Sequence, residues 1–170
     1  MTVTLTRASA AQEPLLQNLI QLYTHDFSEF WAGTPHGDLL ADGRFPPYPL
    51  DPYWNAPNWS AHLIWRDGDL AGFALVNDYA HGPVAVDRSV AEFFVVRKHR
   101  GGGVGRRAAE LVFDLHAGSW EAAVARKNLP ALAFWRRTIS EAAQASNLQE
   151  SDVETDRWNG AILRFDWRPA

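Results

Sequence analysis

Hydrophobic and polar positions alternate at the start of the chain, in Val3-Thr4-Leu5-Thr6, and predict a first strand. The period then becomes helical. Leu15, Leu16, Leu19, Ile20, Tyr23, Phe27 and Phe30 recur on one face up to about Trp31, Ser9 and Gln12 upstream have capping-box spacing, and Pro14 falls in or near the first turn. From residue 33 to 59 the pattern dissolves into a stretch that includes GRFPPYPLDPYWNAPNW, too proline-rich for a strand or helix interior and too aromatic for a disordered linker. It reads either as an ordered, aromatic-lined lid over a pocket or as a flap covering a sheet edge. His62–Trp65 and Leu70–Val76 are strands joined through Arg66-Asp67-Gly68-Asp69, a hairpin signal, and Asp78–Asp87 is a turn-rich link. Val90–Val96 is an apolar run interrupted only by Glu92, as expected of a central strand covered on both faces. Val104, Ala108, Leu111, Val112 and Leu115 then mark a helix face. Glu121–Arg126 reads as a short strand. Pro130 opens a helix carrying Leu132, Trp135 and Ile139, and Val153–Trp158 and Ala161–Trp167 flank a second hairpin signal at Asn159-Gly160. The order β-α-ββ-β-α-β-α-ββ predicts one α/β domain over residues 1–170 with a mixed sheet.

Between the central strand and its helix the chain runs Arg97-Lys98-His99-Arg100-Gly101-Gly102-Gly103-Val104-Gly105. Glycines let the backbone turn with its N–H groups bare, and the helix start adds unpaired donors and a positive dipole end. With Arg97, Lys98, Arg100, Arg106 and Arg107 nearby, this is a site for a phosphate or pyrophosphate; the plainer alternative is a glycine turn with solvated arginines. No G-x-x-x-x-G-K-[ST] loop is present. The dinucleotide fingerprint forced onto Gly103-x-Gly105-x-x-Ala108 lies past mid-chain, away from the first strand where it belongs.

Read as R-x-x-G-x-G, Arg100–Gly105 resembles the pyrophosphate-binding motif of the GNAT superfamily of N-acetyltransferases, and Asn128–Trp135 resembles that family's N-x-x-A-x-x-x-[YF] segment. The stretch Tyr23–Trp31 is also similar to a Tyr-x-x-Asp-Phe-Ser-Glu segment of a bacterial acetyltransferase subgroup. The resemblance implies a mostly antiparallel, twisted sheet flanked by helices, with residues 90–115 as the cofactor-binding strand-loop-helix. It implies acetyl-CoA as cosubstrate and no metal. On it, the backbone of Val95 and Val96 would bind the pantetheine arm and help polarise the thioester carbonyl. Arg100, Gly101, Gly102, Gly103, Val104, Gly105 and Arg106 would take the pyrophosphate, Asn128 would bond the pantetheine arm, and Ala131, Phe134 and Trp135 would pack beside it.

The chemistry so implied has one difficulty. An amine with a pKa near 10.4 is neutral in only about one molecule in a thousand at pH 7.4, so the site must remove a proton, polarise the carbonyl and reprotonate the thiolate. Glu92 is the candidate base, because a carboxylate inside an apolar run must be paired, raised in pKa or wet by a cleft; the alternative is a structural carboxylate. Glu121 is a second choice. Many family members carry a tyrosine acid seven residues after the asparagine. Here that position is Trp135, so Tyr23, Tyr48, Tyr53, Tyr79 or water must serve. For the acceptor, Tyr23, Asp26, Glu29 and Trp31 would suit a cationic amine with some apolar body, against a plainer reading of a solvated helix end with Phe27 and Phe30 in the core.

Composition narrows the alternatives. At 170 residues and 46% apolar the chain has ample core for one domain, and a net charge of −4 gives no reason to expect nucleic acid. The absence of cysteine excludes disulfides, thiolate zinc sites and a cysteine nucleophile. The histidines show neither H-x-H nor H-E-x-x-H, and there is no G-x-S-x-G, so neither a metal site nor a serine elbow is expected. MTVTLTRASA lacks a signal-peptide core and no apolar run approaches a membrane span, so a cytoplasmic protein is expected. The leading expectation is an acetyl-CoA-dependent N-acetyltransferase in which a primary amine of a small molecule or an exposed protein amine attacks the thioester directly. The rival, prompted by Trp135, is a non-catalytic acyl-CoA-binding regulatory module. A homodimer through the flap or a C-terminal edge strand is compatible with either.

Overall fold

Seven strands are formed: β1 (Val3–Arg7), β2 (Ser60–Arg66), β3 (Asp69–Asn77), β4 (Arg88–Val95), β5 (Gly118–Ala125), β6 (Ala145–Glu154) and β7 (Asn159–Trp167). Four α-helices accompany them: α1 (Glu13–Ser28), α2 (Asp51–Asn55), α3 (Val104–Phe113) and α4 (Leu129–Ser140). The computed structural model, which describes residues Met1–Ala170, joins the strands into one sheet ordered β1-β2-β3-β4-β5-β7-β6. Every neighbouring pair is antiparallel except β4 and β5. This is the mixed, mostly antiparallel α/β sheet that the element order predicts.

The strand pleat divides the core into two layers. On one face, Leu16, Leu19 and Ile20 of α1 meet Leu63, Phe73, Leu75 and Phe94. On the other, Val104 and Ala108 of α3 meet Val3, Ile64 and Val95, while Val112 and Phe113 pack with Trp120, Phe165, Trp167 and the α4 residues Trp135 and Ile139. Each such Val, Leu, Ile or Phe side chain contributes roughly 1.5–3 kcal/mol by leaving water. The helix α1 enters through a short turn in which the Gln12 side chain accepts the Ser9 N–H at 3.1 Å, and Pro14 fits its first turn.

Three local expectations need correction. Residues 33–59 contain a short helix after all, α2, because Pro52 sits in its first turn, where a missing N–H costs nothing. The helix face drawn to Leu115 stops earlier: α3 ends at Phe113 and Leu115 is exposed. Asn159-Gly160 is not a hairpin turn. The turn is Thr155–Trp158, closed by Thr155 N–H donating to the Trp158 carbonyl at 2.9 Å, and Gly160 lies inside β7. Glycine is needed there because a Cβ would sit 2.1 Å from the Val124 carbonyl oxygen of β5, at φ +148°.

The flap of residues 33–59 lies against α1 and one face of the sheet, not along an edge. Gln17 and Gln21, one helical turn apart, each grip its main chain twice. Gln17 donates to the Tyr48 carbonyl (2.8 Å) and accepts its N–H (3.1 Å); Gln21 does the same at Phe45 (3.1 and 2.8 Å). Leu50 and Tyr53 are thereby buried beside Leu63 and Phe73.

Candidate active site

The site forms where β4 and β5 part. Their parallel pairing covers only Arg88–Val90 against Trp120–Ala122, and beyond Val90 the strands separate. A bulge at Ala91, opposite Leu75 and Val76, bends β4 at the same point. Val96 N–H donates to the Ala71 carbonyl (2.9 Å), so strand alternation turns the N–H and C=O of Val95 toward the parted β5 edge. Arg100 Nε already takes that carbonyl at 2.7 Å, leaving the Val95 N–H facing the gap.

On the α3 side the glycine loop forms a cradle of donors. Gly101 and Gly103 have φ of +79° and +83°, which only glycine adopts readily. The first helical bond of α3 runs from Arg107 N–H to the Gly103 carbonyl (3.0 Å), and no N–H from Gly101 to Arg106 donates to a backbone carbonyl. A Cβ on Gly101 or Gly102 would meet nothing within 4 Å, so the loop opens outward, whereas one on Gly105 would lie 3.2 Å from the Phe134 ring of α4. This cradle fits a pyrophosphate. The side chains fit it less well. Arg97 and Arg100 both bind Asp26, Arg106 binds Glu110 (3.1 Å) and Glu141 (2.6 Å), and Arg107 binds Glu110 (3.3 Å); of the five basic residues only Lys98 makes no ion pair. The forks of Arg100 and Arg106 are engaged with these carboxylates, and the unpaired donors of the loop are main-chain N–H groups.

Nearby, Asn128 Oδ1 accepts the Ala131 N–H at 3.2 Å, capping α4, so its amide N–H donors are what remain for a ligand. Phe134 stacks on Phe93 with ring centroids 5.9 Å apart. Trp135 is buried among Phe93, Phe113 and Phe134 and belongs to the core.

On the α1 side the chemistry is carried by side chains. Glu92, largely buried, accepts a short hydrogen bond from the Tyr23 hydroxyl, and the Tyr48 hydroxyl is close enough to favour its ionised form. Burial pushes the Glu92 carboxyl above its ordinary range, while the two phenols and the nearby His81 pull it back only in part. Burial and the Glu92 charge raise Tyr23 and Tyr48 as well, and burial pushes Tyr53 up to about 12. All three phenols therefore remain protonated donors at neutral pH. Asn77 Nδ2 donates to the Tyr53 hydroxyl at 3.5 Å and extends the network. Three of the four phenols singled out from the sequence thus gather round Glu92; the fourth, Tyr79, lies against His81 with ring centroids 5.0 Å apart.

Glu121, the second choice for a base, is held otherwise. It is 1% exposed and accepts the His81 N–H (2.6 Å), His81 Nδ1 (3.1 Å) and the Gly82 N–H (3.3 Å). Burial pushes its carboxyl up, but these donors outweigh burial and hold it below the ordinary value. It anchors a loop and is ionised. His81, absent from the sequence reading, is brought beside the site by this anchor; its turn-rich surroundings carry no periodic or motif signal.

The expected acceptor residues divide. Tyr23 is at Glu92, but Asp26 is claimed by Arg97 and Arg100, whose guanidinium hydrogen bonds outweigh desolvation and keep its carboxyl below the ordinary value. Glu29 is exposed. Trp31 packs at a tilt on Phe27 (ring centroids 5.0 Å apart) and against Gly37, while Phe27 and Phe30 are only partly buried. Asp26 therefore joins α1 to the basic turn ahead of the glycine loop. No helix is long and apolar enough to cross a membrane.

A model of the acetyltransferase (GNAT) family matches residues 16–139. No curated protein matches the chain significantly. Among solved structures, an acetyltransferase from Thermus thermophilus is 18% identical with a TM-score of 0.65, covering 97% of this chain and 96% of that one. The GNAT domain of S. lividans PAT is 14% identical with a TM-score of 0.64, covering 98% and 91%. The PaiA N-acetyltransferase from Thermoplasma acidophilum, in complex with coenzyme A, is 11% identical with a TM-score of 0.57, covering 98% and 100%. At these identities the likenesses establish the fold.

Proposed function

Because the chain belongs to the GNAT acetyltransferase family, we propose that it transfers an acetyl group from acetyl-CoA to a primary amine of a small molecule or of an exposed protein site. The supporting observation is a carboxylate raised by burial, Glu92, on one face of the β4–β5 gap, with the N–H cradle of Gly101–Arg106 on the other. Acetyl-CoA supplies the carbonyl that is attacked and the thiolate that leaves. The cradle and the Val95 N–H orient it; Asn128, Ala131 and Phe134 border its arm. Glu92 takes a proton from the acceptor ammonium, its raised pKa bringing it closer to that task at neutral pH. Once protonated, Glu92 no longer draws the Tyr23 hydroxyl so strongly, and that phenol becomes free to donate to the leaving sulfur, the role an indole at position 135 cannot fill.

The test is calorimetry with acetyl-CoA followed by thiol release across an amine panel, on the wild type and Glu92→Gln. The variant is expected to bind acetyl-CoA as the wild type does and to lose roughly 10²–10⁴-fold in kcat. Equal turnover by both across the pH range rejects Glu92 as base. Burial of Trp135 in the core favours the second reading, an acyl-CoA-binding module without catalysis, which predicts binding with no thiol release from any amine.

A further inference from the structure

Resting on that reading of the site, we propose that His81 is the exit for the acceptor's proton: its imidazole, fixed by Glu121, receives the proton that Glu92 removes and passes it to solvent. Acetylation of an ammonium must release one proton per turnover. One N–H proton goes to Glu92, the amine nitrogen bonds to the carbonyl carbon as the C–S bond breaks, and a second N–H proton ends on the sulfur. The products are the amide, the free thiol and the proton held by Glu92. That proton needs a route onward, because the carboxylate lies in buried surroundings and is bonded to the Tyr23 hydroxyl.

His81 is built to provide one. Its side chain is 19% exposed, at the rim, whereas that of Glu121 is 2% exposed. A carboxylate can only accept, so the 3.1 Å contact to Nδ1 places the proton of the neutral ring there and leaves the Nε2 lone pair on the opposite edge. Two main-chain donors of the same loop, His81 N–H and Gly82 N–H, bind the same carboxylate, and the edge-on rings of Tyr79 (5.0 Å) and Trp158 (4.6 Å) fix the imidazole plane. His81 is near enough to Glu92 to favour the ionised carboxylate, the smallest of the influences on it.

One polar atom beside Glu121 is left without a partner in the fold. Ser89 is 0% exposed, its Oγ has no hydrogen-bond partner, and it stands opposite Glu121 on β5 and Asn77 on β3, on the sheet face that carries Glu92. A buried hydroxyl left unpaired costs on the order of 1–3 kcal/mol, and a hydroxyl both donates and accepts, as a step in a proton chain must.

The experiment uses the full chain. Imidazole ¹⁵N spectra should place the neutral-ring proton of His81 on Nδ1, and Glu121→Gln should convert this to a mixture of tautomers. With acetyl-CoA and an amine that the wild type turns over, His81→Ala should lose about 10–100-fold in kcat with KM for acetyl-CoA within about twofold, and added imidazole should restore most of the rate. Rescue should fail for Glu92→Gln. An unaffected His81→Ala rate, a loss that imidazole does not restore while acetyl-CoA still binds, or a ring proton on Nε2 overturns the proposal and leaves the acetyltransferase reading standing. A wild type that binds no acetyl-CoA or acetylates no amine sinks both.

Discussion

On the α3 side of the β4–β5 gap, the proposed anion cradle is one contiguous stretch, Gly101–Arg106, and what it offers is main-chain N–H groups. On the α1 side, Tyr23, Tyr48, His81, Glu92 and Glu121 come from five separate segments and act through side chains. The first needs little more than small residues and a helix start, and its arginines are occupied with neighbouring carboxylates. The second needs particular functional groups held at particular distances. Damage to each side should therefore show itself differently.

The largest effect is expected from Gly105→Leu. Its Cβ would lie 3.2 Å from the Phe134 ring, and the side chain would shift the start of α3 against α4. Calorimetry should show at least a ~100-fold loss of acetyl-CoA affinity, about 2.7 kcal/mol. Next comes Tyr23→Phe on the opposite face. The lost hydrogen bond favoured ionised Glu92, so its pKa should rise further and the acidic limb of the pH–rate profile should move to higher pH, with acetyl-CoA affinity unchanged. A fixed acidic limb would count against Glu92 as the titrating base.

Asp26→Asn breaks the ion pairs that tie the two sides together. The Asp26 carboxyl is lowered by Arg97 and Arg100, so its stabilisation is present above the ordinary carboxylate range and lost as pH falls through the lowered value. Thermal melts should show the wild type above the variant at pH 7, by about 1 kcal/mol or less because both arginines are substantially exposed, and the two should converge in strong acid. The smallest effect belongs to Arg106→Ala, with acetyl-CoA affinity within about threefold, under 1 kcal/mol. A tenfold loss there would put side-chain charge ahead of the N–H cradle.

The same contrast explains what could be read before folding. The cradle was legible because its determinants are local: glycines, a strand before them and an apolar helix face after them. Glu92 was legible as an anomaly, a charge inside an apolar run. Its phenol consorts could be shortlisted from the sequence, but their arrangement and the part of His81 could not. Nothing in the turn-rich link marks His81, which acquires meaning only when β5 presents Glu121 to it, and Asp26 and Arg100, 74 positions apart, give no hint of pairing. At Asn159-Gly160 a sound local rule misled, since the glycine is demanded by the approach of the neighbouring strand and not by a turn. Where the reason for a residue is its neighbour in sequence, sequence suffices; where it is a neighbour in space, the sheet has to be built first.

The double grip of Gln17 and Gln21 on the flap has an evolutionary corollary. Both glutamines read amide groups, not side chains, at Phe45 and Tyr48, so mooring is indifferent to what the moored residues carry. The path of the flap is therefore set by main-chain contacts and leaves most of its side chains free to vary, Tyr48 and Tyr53 near Glu92 excepted.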